Sequence, residues 1–123
     1  MATTTSEKDV ERRIILHASQ IGSTLFKNNV GVLKDAKGNV VHFGLCKGSS
    51  DLIGWTPVTI TSDMVGKRVA IFTAVEVKKN KHGSYGATKE QLSFIKAVKL
   101  AGGRAGVADC NEDAEKIMLD IKE

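Results

Sequence analysis

The chain has 123 residues, a formal net charge of +4 at pH 7 and a pI near 9.1. This length fits one domain, and 41% hydrophobic with 26% charged residues is ordinary globular composition, which leaves disorder only for residues 1–6. The basic charge favours a polyanionic partner such as a nucleic acid, because clustered Lys and Arg side chains neutralise phosphates.

The cysteine pattern argues against metal and disulfide frameworks. Cys46 and Cys110 stand alone, without CxxC spacing or nearby histidine clusters, so neither a zinc site nor a disulfide scaffold is expected. Two isolated cysteines are typical of reduced thiols in a cytosolic protein. No signal peptide precedes Glu7, and no apolar run reaches the ~18 residues of a membrane span. We therefore expect a cytoplasmic protein without a membrane segment.

The first predicted element is a helix from about Ser6 to Gly22. Ser6 is a natural N-cap, and Gly22 is a natural residue for ending a helix. The apolar positions of this segment recur at helical spacing. They are Val10, Ile14, Ala18 and Ile21.

Short strands are predicted to follow. Residues 24–35 and 40–43 are apolar runs around a turn at residues 37–39, which suggests a hairpin. A Gly/Ser segment then leads into a strand at residues 51–55. The longest apolar run, residues 69–77, is rich in β-branched side chains and is predicted to be a central strand.

The last third of the chain alternates helix and strand. A polar, glycine-rich loop covers residues 79–87, and Thr88 caps a helix that runs to about Leu100. Residues 104–108 form a short strand, and Asn111 caps a final helix. One helix, several strands, and then helix, strand and helix predict an α/β fold with helices packed against a sheet.

Three charged residues interrupt apolar surroundings. Asp51 stands directly before Leu52 at the start of a predicted strand, and Glu76 lies near the end of the most hydrophobic run. Lys78 follows with one residue between, so the alternation of a strand puts it on the same face as Glu76. Isolated buried charges are costly, so an acid and a lysine side by side at the end of a buried strand suggest a functional role.

Phosphodiester hydrolysis needs these residue types. Two carboxylates converge on a divalent cation, and Mg²⁺ favours a few carboxylates plus waters over a closed cage. A lysine beside the cation orients the nucleophile or offsets charge in the transition state. The alternative is that Glu76 and Lys78 form a salt bridge on a solvated face and that Asp51 is a turn residue.

Four segments in order carry a family resemblance. They are G-S-S-D-L-I-G, A-V-E-V-K-K, T-x-x-Q-L-x-F-I and A-G-G-R-A-G-V-A. Together they resemble the virus-type replication-repair nuclease (VRR-NUC) domain of the PD-(D/E)xK nuclease superfamily. The earlier F-K-N-N-V-G is similar to the family's R-N-N-x-G, with Lys27 where an arginine is usual. The resemblance covers residues 7–107 and implies a single nuclease domain over residues 7–123, with a restriction-endonuclease-like mixed β-sheet flanked by helices.

The resemblance also implies roles for individual residues. Asp51 and Glu76 would ligate Mg²⁺ or Mn²⁺ together with the backbone carbonyl of Val77. Lys78 would be the catalytic lysine. Gln91 matches the family's helix glutamine and would point toward the same site.

The family also places an acidic residue on its first helix, and two residues compete for this metal-binding role. Glu7 matches the usual opening of the family, and at 100° per residue it lies within the apolar stripe that faces the sheet. Glu11 instead resembles the helix glutamate of archaeal Holliday junction resolvases. Alternatively, Glu7 is a first-turn carboxylate that complements the helix dipole, and Glu11 is a solvated surface charge.

A basic run follows the predicted active-site strand. Lys79, Lys81 and His82 lie in the polar loop, where such residues are usually just solvated. Their position directly after the strand also suits contacts with a phosphate backbone.

These observations predict a Mg²⁺- or Mn²⁺-dependent endonuclease that acts on structured, branched DNA, similar to a Holliday junction resolvase. Short stand-alone members of the family look like phage-encoded nucleases, which implies the host cytoplasm. A symmetric four-way junction needs two cuts, so a homodimer is expected. The alternatives are a flap or nicking nuclease, and a nucleic-acid-binding accessory protein that has lost catalysis.

Overall fold

The computed structural model of the chain describes residues 6–79 and 86–120. The chain divides into two compact units, Met1–Thr56 and Pro57–Glu123. Most of the N-terminal segment that was expected to be disordered lies outside the described residues, whereas Ser6 is described and caps the first helix.

The first unit begins with helix α1, Glu7–Gln20. The Ser6 side chain accepts a hydrogen bond of 3.1 Å from the backbone N–H of Asp9, as expected of an N-cap. After the helix, Gly22 adopts a φ of +89°, a left-handed conformation that glycine reaches without steric cost. Both predicted helix boundaries are confirmed.

The face of α1 that packs on its neighbours differs from the predicted stripe. Ala18 is buried, and Ile15 and Glu11 are half-buried about one and two turns before it. In contrast, Val10 and Ile14 are 42% and 45% exposed. The buried face is therefore rotated by about one position from the predicted stripe of four apolar residues, of which it keeps Ala18.

Four strands complete the first unit in two antiparallel pairs. They are Thr24–Lys27 (β1), Gly31–Lys34 (β2), Val40–Phe43 (β3) and Leu52–Trp55 (β4). Strands β1 and β4 pair with Thr24 opposite Trp55, and β2 and β3 pair around a turn at residues 35–39. The predicted hairpin is thus confirmed for β2 and β3, whereas the start of the first predicted strand, β1, pairs with the distant β4.

The turn of the β2–β3 hairpin is organised by Asp35. One carboxylate oxygen accepts hydrogen bonds of 2.9 Å from the backbone N–H groups of Asn39 and Lys37. The hydrogen bond from Asn39, followed by that from Lys37, lowers the pKa of the Asp35 carboxyl below its ordinary value, because both favour the ionised form.

The described part of the second unit contains one parallel strand pair and two α-helices. They are Thr73–Val77 (β5), Lys89–Leu100 (α2), Arg104–Ala108 (β6) and Asn111–Met118 (α3), preceded by a 3-10 turn at Ser62–Met64. Strands β5 and β6 pair with Thr73 opposite Arg104, and α2 connects them, as parallel strands require. Both helices contact both strands.

The packed centre of the second unit lies along β6. Val98 of α2 is 1% exposed, and Ala105 and Ala108 of β6 are also buried. A Cβ atom built on Gly106 would lie 2.8 Å from Cδ1 of Ile117. Glycine at this position therefore lets α3 pack close to the strand, as small residues do at close contacts.

Two predictions for the second unit are wrong in detail. Only Thr73–Val77 of the apolar run 69–77 forms a strand, and within the described residues it pairs with β6 alone, so it is not central. The partner strand starts at Arg104, directly after the turn that ends α2, which leaves residues 69–71 without a partner strand to join. In addition, Cys110 rather than Asn111 occupies the N-cap position of α3, a shift within the usual uncertainty of helix ends.

The predicted mixed α/β fold is confirmed. Three helices accompany antiparallel and parallel strand pairs, which form three two-stranded sheets among the described residues. None of the helices in residues 6–79 and 86–120 has the length and apolar character needed to cross a bilayer.

Candidate active site

The end of β5 presents an acid and a lysine on one face. The side chains of Glu76 and Lys78 alternate with that of Val77, and Lys78 Nζ lies 3.4 Å from Glu76 Oε1. The two side chains are 30% and 25% exposed, so solvent screens this ion pair only in part. The structure therefore brings together the two charged residues that the E-x-K spacing predicts on one face.

Gln91 joins this pair from the start of α2. Thr88 Oγ1 accepts a 3.1 Å hydrogen bond from the Gln91 backbone N–H, and Gln91 Oε1 accepts one of 2.9 Å from the Thr88 N–H. This reciprocal arrangement is a capping box. Because it fixes the oxygen end of the amide, the nitrogen end points away and donates a 2.7 Å hydrogen bond to Glu76 Oε1.

The carboxylate of Glu76 is thus held through one oxygen. Oε1 accepts from Gln91 and faces the ammonium of Lys78, whereas Oε2 has no hydrogen-bond or ion-pair partner in the described part of the chain. A groove of about 420 Å³, lined by residues of β5 and α2, includes Glu76 and Gln91. Glu76 therefore retains one oxygen that is available to a ligand.

Among the residues that the structure describes, the pairing of β5 also leaves the carbonyl of Val77 available. The N–H of Lys78 donates to the carbonyl of Ala108, and the carbonyl of Phe72 accepts from the N–H of Arg104. In a parallel ladder, every second residue of a strand bonds to a given neighbour, so the even-numbered residues of β5 bond to β6. The carbonyl of Val77 consequently lies on the opposite edge of β5.

Asp51 belongs to the first unit and directly precedes β4. It is exposed, its backbone carbonyl accepts a 2.7 Å hydrogen bond from the N–H of Asn28, and its carboxylate makes no hydrogen bond or ion pair with any residue in ranges 6–79 and 86–120. The structure brings Glu76, Lys78 and Gln91 together within the second unit, and Asp51 stands in the other unit.

The two acids of α1 differ in their surroundings. Glu11 is half-buried, with its carboxylate 3.2 Å from Lys27 Nζ at the end of β1, whereas Glu7 is exposed. The expectation that Glu7 faces the strands is therefore wrong. Glu7 shares the helix face of Val10 and Ile14, and these two residues are exposed as well.

The predicted basic loop is described only at its start. Lys79 is exposed, in a position from which a lysine can contact an anionic ligand. Lys81 and His82 lie outside the described residues.

The structure also presents two groups that sequence reasoning did not assign. The Asn28 side chain donates hydrogen bonds to Ser49 and Ser50, which precede Asp51. The sequence signal that could have identified Asn28 was its position in F-K-N-N-V-G. Ligand atoms of Asp109, Cys110 and Asp113 lie within 4.8 Å of one another at the start of α3. Exposed acidic groups of this kind are common near the start of a helix.

Comparison with known proteins addresses the family. No curated protein and no solved structure matches the chain significantly. The VRR-NUC domain family matches residues 8–112, a range that includes Asp51, Glu76, Lys78 and Gln91. Because this match covers most of the chain, the protein belongs to the VRR-NUC domain family, and this membership indicates a nuclease of the PD-(D/E)xK type.

Proposed function

We propose that the protein is a Mg²⁺- or Mn²⁺-dependent endonuclease that hydrolyses phosphodiester bonds in structured, branched DNA. Asp51, Glu76, Lys78 and Gln91 form its catalytic set. Family membership indicates a nuclease. The metal dependence, the roles of the residues and the DNA substrate are proposed.

The observation that carries the proposal is the way Glu76 is held. A salt bridge on a solvated face has no need of a third partner, yet Gln91 is fixed by its capping box and donates to the same oxygen that faces Lys78. These two contacts fix the carboxylate, so the remaining oxygen of Glu76 is presented to a ligand in a fixed orientation.

These donors fit a hard divalent cation. Carboxylate and backbone carbonyl oxygens are the ligands that Mg²⁺ and Mn²⁺ prefer, and Glu76 Oε2 and the Val77 carbonyl offer one of each. Asp51 would supply the second carboxylate, on the strength of its sequence motif. When bound, the cation would polarise the phosphoryl oxygen and offset negative charge on the phosphate.

Lys78 has a separate role in this proposal. Its ammonium is half-buried and lies against Glu76, where a positive charge is worth more than in bulk water. It would donate a hydrogen bond to the phosphate or orient the attacking water, and so offset charge that develops in the transition state. Gln91 positions Glu76 and does not itself carry charge.

The helix acid of the site is assigned to Glu11. Glu11→Gln should reduce cleavage more than Glu7→Gln, because Glu11 is half-buried at the end of β1 and Glu7 is exposed. Cleavage rates and metal titrations of the two variants, run side by side, measure the difference. A loss confined to Glu7→Gln would instead favour the alignment in which Glu7 is the helix acid.

DNA binding should depend steeply on salt, since lysines near the site release counterions from phosphates. For roughly 5 phosphate contacts per dimer the slope of log K against log [salt] is about −4.5. Replacing Lys79 and Lys81 with alanine removes four lysines per dimer, so it should lower affinity for a branched duplex in Ca²⁺ and flatten the slope by up to about 3.6. The matched control replaces Lys96 and Lys99 of α2, which are exposed and carry the same charge; equal effects of both pairs would refute a specific contact.

The experiment that tests the proposal offers the protein a four-way junction, a flap, a nicked duplex and a linear duplex, with Mg²⁺ or EDTA. Light scattering on the same sample gives the oligomeric state. The proposal expects a homodimer and paired cuts in the junction, because two active sites are needed for two strands. A monomer that cuts single strands would favour the flap or nicking nuclease. Tight binding without cleavage in any metal would favour an accessory binding protein.

A further inference from the structure

The segment between β3 and β4, residues 44–51, closes onto the side chain of Asn28. The Asn28 amide nitrogen donates hydrogen bonds of 2.8 Å to Ser49 Oγ and 2.9 Å to the Ser50 carbonyl. Its amide oxygen accepts one of 3.0 Å from the Leu45 N–H. The backbone N–H of Asn28 donates to the carbonyl of Asp51 at 2.7 Å. One residue thus holds both ends of the segment.

The partners of Asn28 are themselves oriented. The hydroxyl of Ser49 donates a 2.6 Å hydrogen bond to the carbonyl of Cys46, and its oxygen accepts from the Cys46 N–H at 3.3 Å as well as from the Asn28 amide. Gly44 has a φ of +84°, and a Cβ atom there would lie 2.3 Å from the Asn29 carbonyl oxygen. Glycine at this position therefore allows the segment to approach the end of β1 closely.

This network sets the backbone on which Asp51 stands. On its C-terminal side, Asp51 adjoins the β4 ladder, in which Leu52 pairs with Lys27. On its N-terminal side, Ser49 and Ser50 form no strand or helix, so their position depends on Asn28. Without these hydrogen bonds, the backbone that leads into Asp51 would have more accessible conformations, and its carboxylate would lose orientation.

We propose that Asn28 is a positioning residue that orients the carboxylate of Asp51 for metal binding. The inference rests on the proposed role of Asp51 as a metal ligand. Asn28 acts through the backbone of Ser49 and Ser50 and contacts neither metal nor DNA. Residues that orient metal ligands typically change metal affinity by ~10- to 100-fold when replaced.

Two substitutions separate the functions of the Asn28 amide. Asn28→Ala removes all side-chain hydrogen bonds. Asn28→Asp is nearly isosteric and retains an acceptor for the Leu45 N–H, but it places a carboxylate oxygen against the Ser50 carbonyl. The matched control is Asn29→Ala, since the side chain of this exposed neighbour forms no hydrogen bond with any residue that the structure describes.

The measurements are Mn²⁺ affinity by calorimetry, the Mg²⁺ concentration that gives half-maximal cleavage, and hydrogen exchange of the Leu45 amide without metal. Both Asn28 variants should bind Mn²⁺ at least ~10-fold more weakly and require correspondingly more Mg²⁺, with a smaller change in cleavage at saturating metal. The Leu45 amide should exchange faster in Asn28→Ala than in Asn28→Asp. Asn29→Ala should match the wild type in all three.

A purely structural role predicts a different pattern. Lower thermal stability of both Asn28 variants with wild-type Mn²⁺ affinity, measured well below their unfolding temperatures, would overturn the inference. If Asn28→Ala does not fold, the same Mn²⁺ titration is done on Ser49→Ala, which removes one acceptor of the Asn28 amide. Asp51→Asn distinguishes failure of the inference about Asn28 from failure of the proposed role of Asp51. If Asp51→Asn abolishes Mn²⁺ binding and the Asn28 variants do not weaken Mn²⁺ binding, only the inference about Asn28 fails. If Asp51→Asn retains wild-type binding and cleavage, the proposed function of Asp51 fails as well.

Discussion

Glu76→Gln and Asp51→Asn should each reduce divalent-dependent cleavage by at least ~10³-fold, which corresponds to several kcal/mol of lost charge stabilisation in the transition state. Each substitution keeps the size of the side chain and removes one anionic ligand. In Glu76→Gln, an amide also replaces the carboxylate whose oxygen Oε1 contacts both Gln91 and Lys78. Single-turnover cleavage of a branched duplex across a Mg²⁺ series measures the loss.

Folding should survive both substitutions. In the proposed site the two carboxylates converge, and removing one of them would relieve like-charge repulsion in the metal-free state. The thermal unfolding temperature in EDTA should therefore be unchanged or slightly higher. Glu115→Gln on α3 is the control, because this glutamate is exposed and lies outside the proposed site. Near wild-type cleavage by either site variant would remove that residue from the catalytic set.

Lys78→Ala should lower the cleavage rate at saturating Mg²⁺ by ~10²- to 10³-fold, the usual cost of losing a group that stabilises transition-state charge. Metal affinity should not fall, because the substitution removes a positive charge beside the proposed ligand Glu76. The combination of a slower reaction with intact metal binding distinguishes Lys78 from the carboxylates. Rapid-quench rates and Mn²⁺ titrations on the same preparations provide both numbers.

Lys78→Arg distinguishes a role of the positive charge of Lys78 from a role in proton transfer. A guanidinium keeps the positive charge but does not deprotonate in proteins. Substantial recovery of the rate in Lys78→Arg would indicate a purely electrostatic role, and a rate as low as that of Lys78→Ala would indicate that ammonium geometry or proton transfer matters. Lys96→Ala on α2 serves as the control. A rate for Lys78→Ala within a few-fold of the wild type would contradict a catalytic role for this lysine.

Local signals in the sequence predicted much of the fold. Ser6 and Thr88 begin α1 and α2 as expected, because an N-cap is a contact between a side chain and backbone three residues away. The same-face placement of Glu76 and Lys78 follows from strand alternation alone. These features depend on neighbours within a few residues, so the sequence contains all the information they need.

Features that depend on distant segments were not predictable in this way. The pairing of β1 with β4 skips the intervening hairpin, and no local pattern specifies it. Gln91 matched a family position, but its simultaneous use as a capping residue and as a donor to Glu76 required the packing of α2 beside β5. The Glu11–Lys27 pair likewise depends on where β1 ends relative to α1, which the helical wheel does not include.

In the proposed site, Asp51 and Glu76 hold the same catalytic cation. A titration of Mn²⁺ into the wild type, Asp51→Asn and Glu76→Gln, with free Mn²⁺ followed by electron paramagnetic resonance, tests this shared ligation. We expect the wild type to bind one Mn²⁺ ion tightly and each single substitution to eliminate this binding. A tightly bound Mn²⁺ ion with wild-type affinity in either variant would show that the two carboxylates do not share a site.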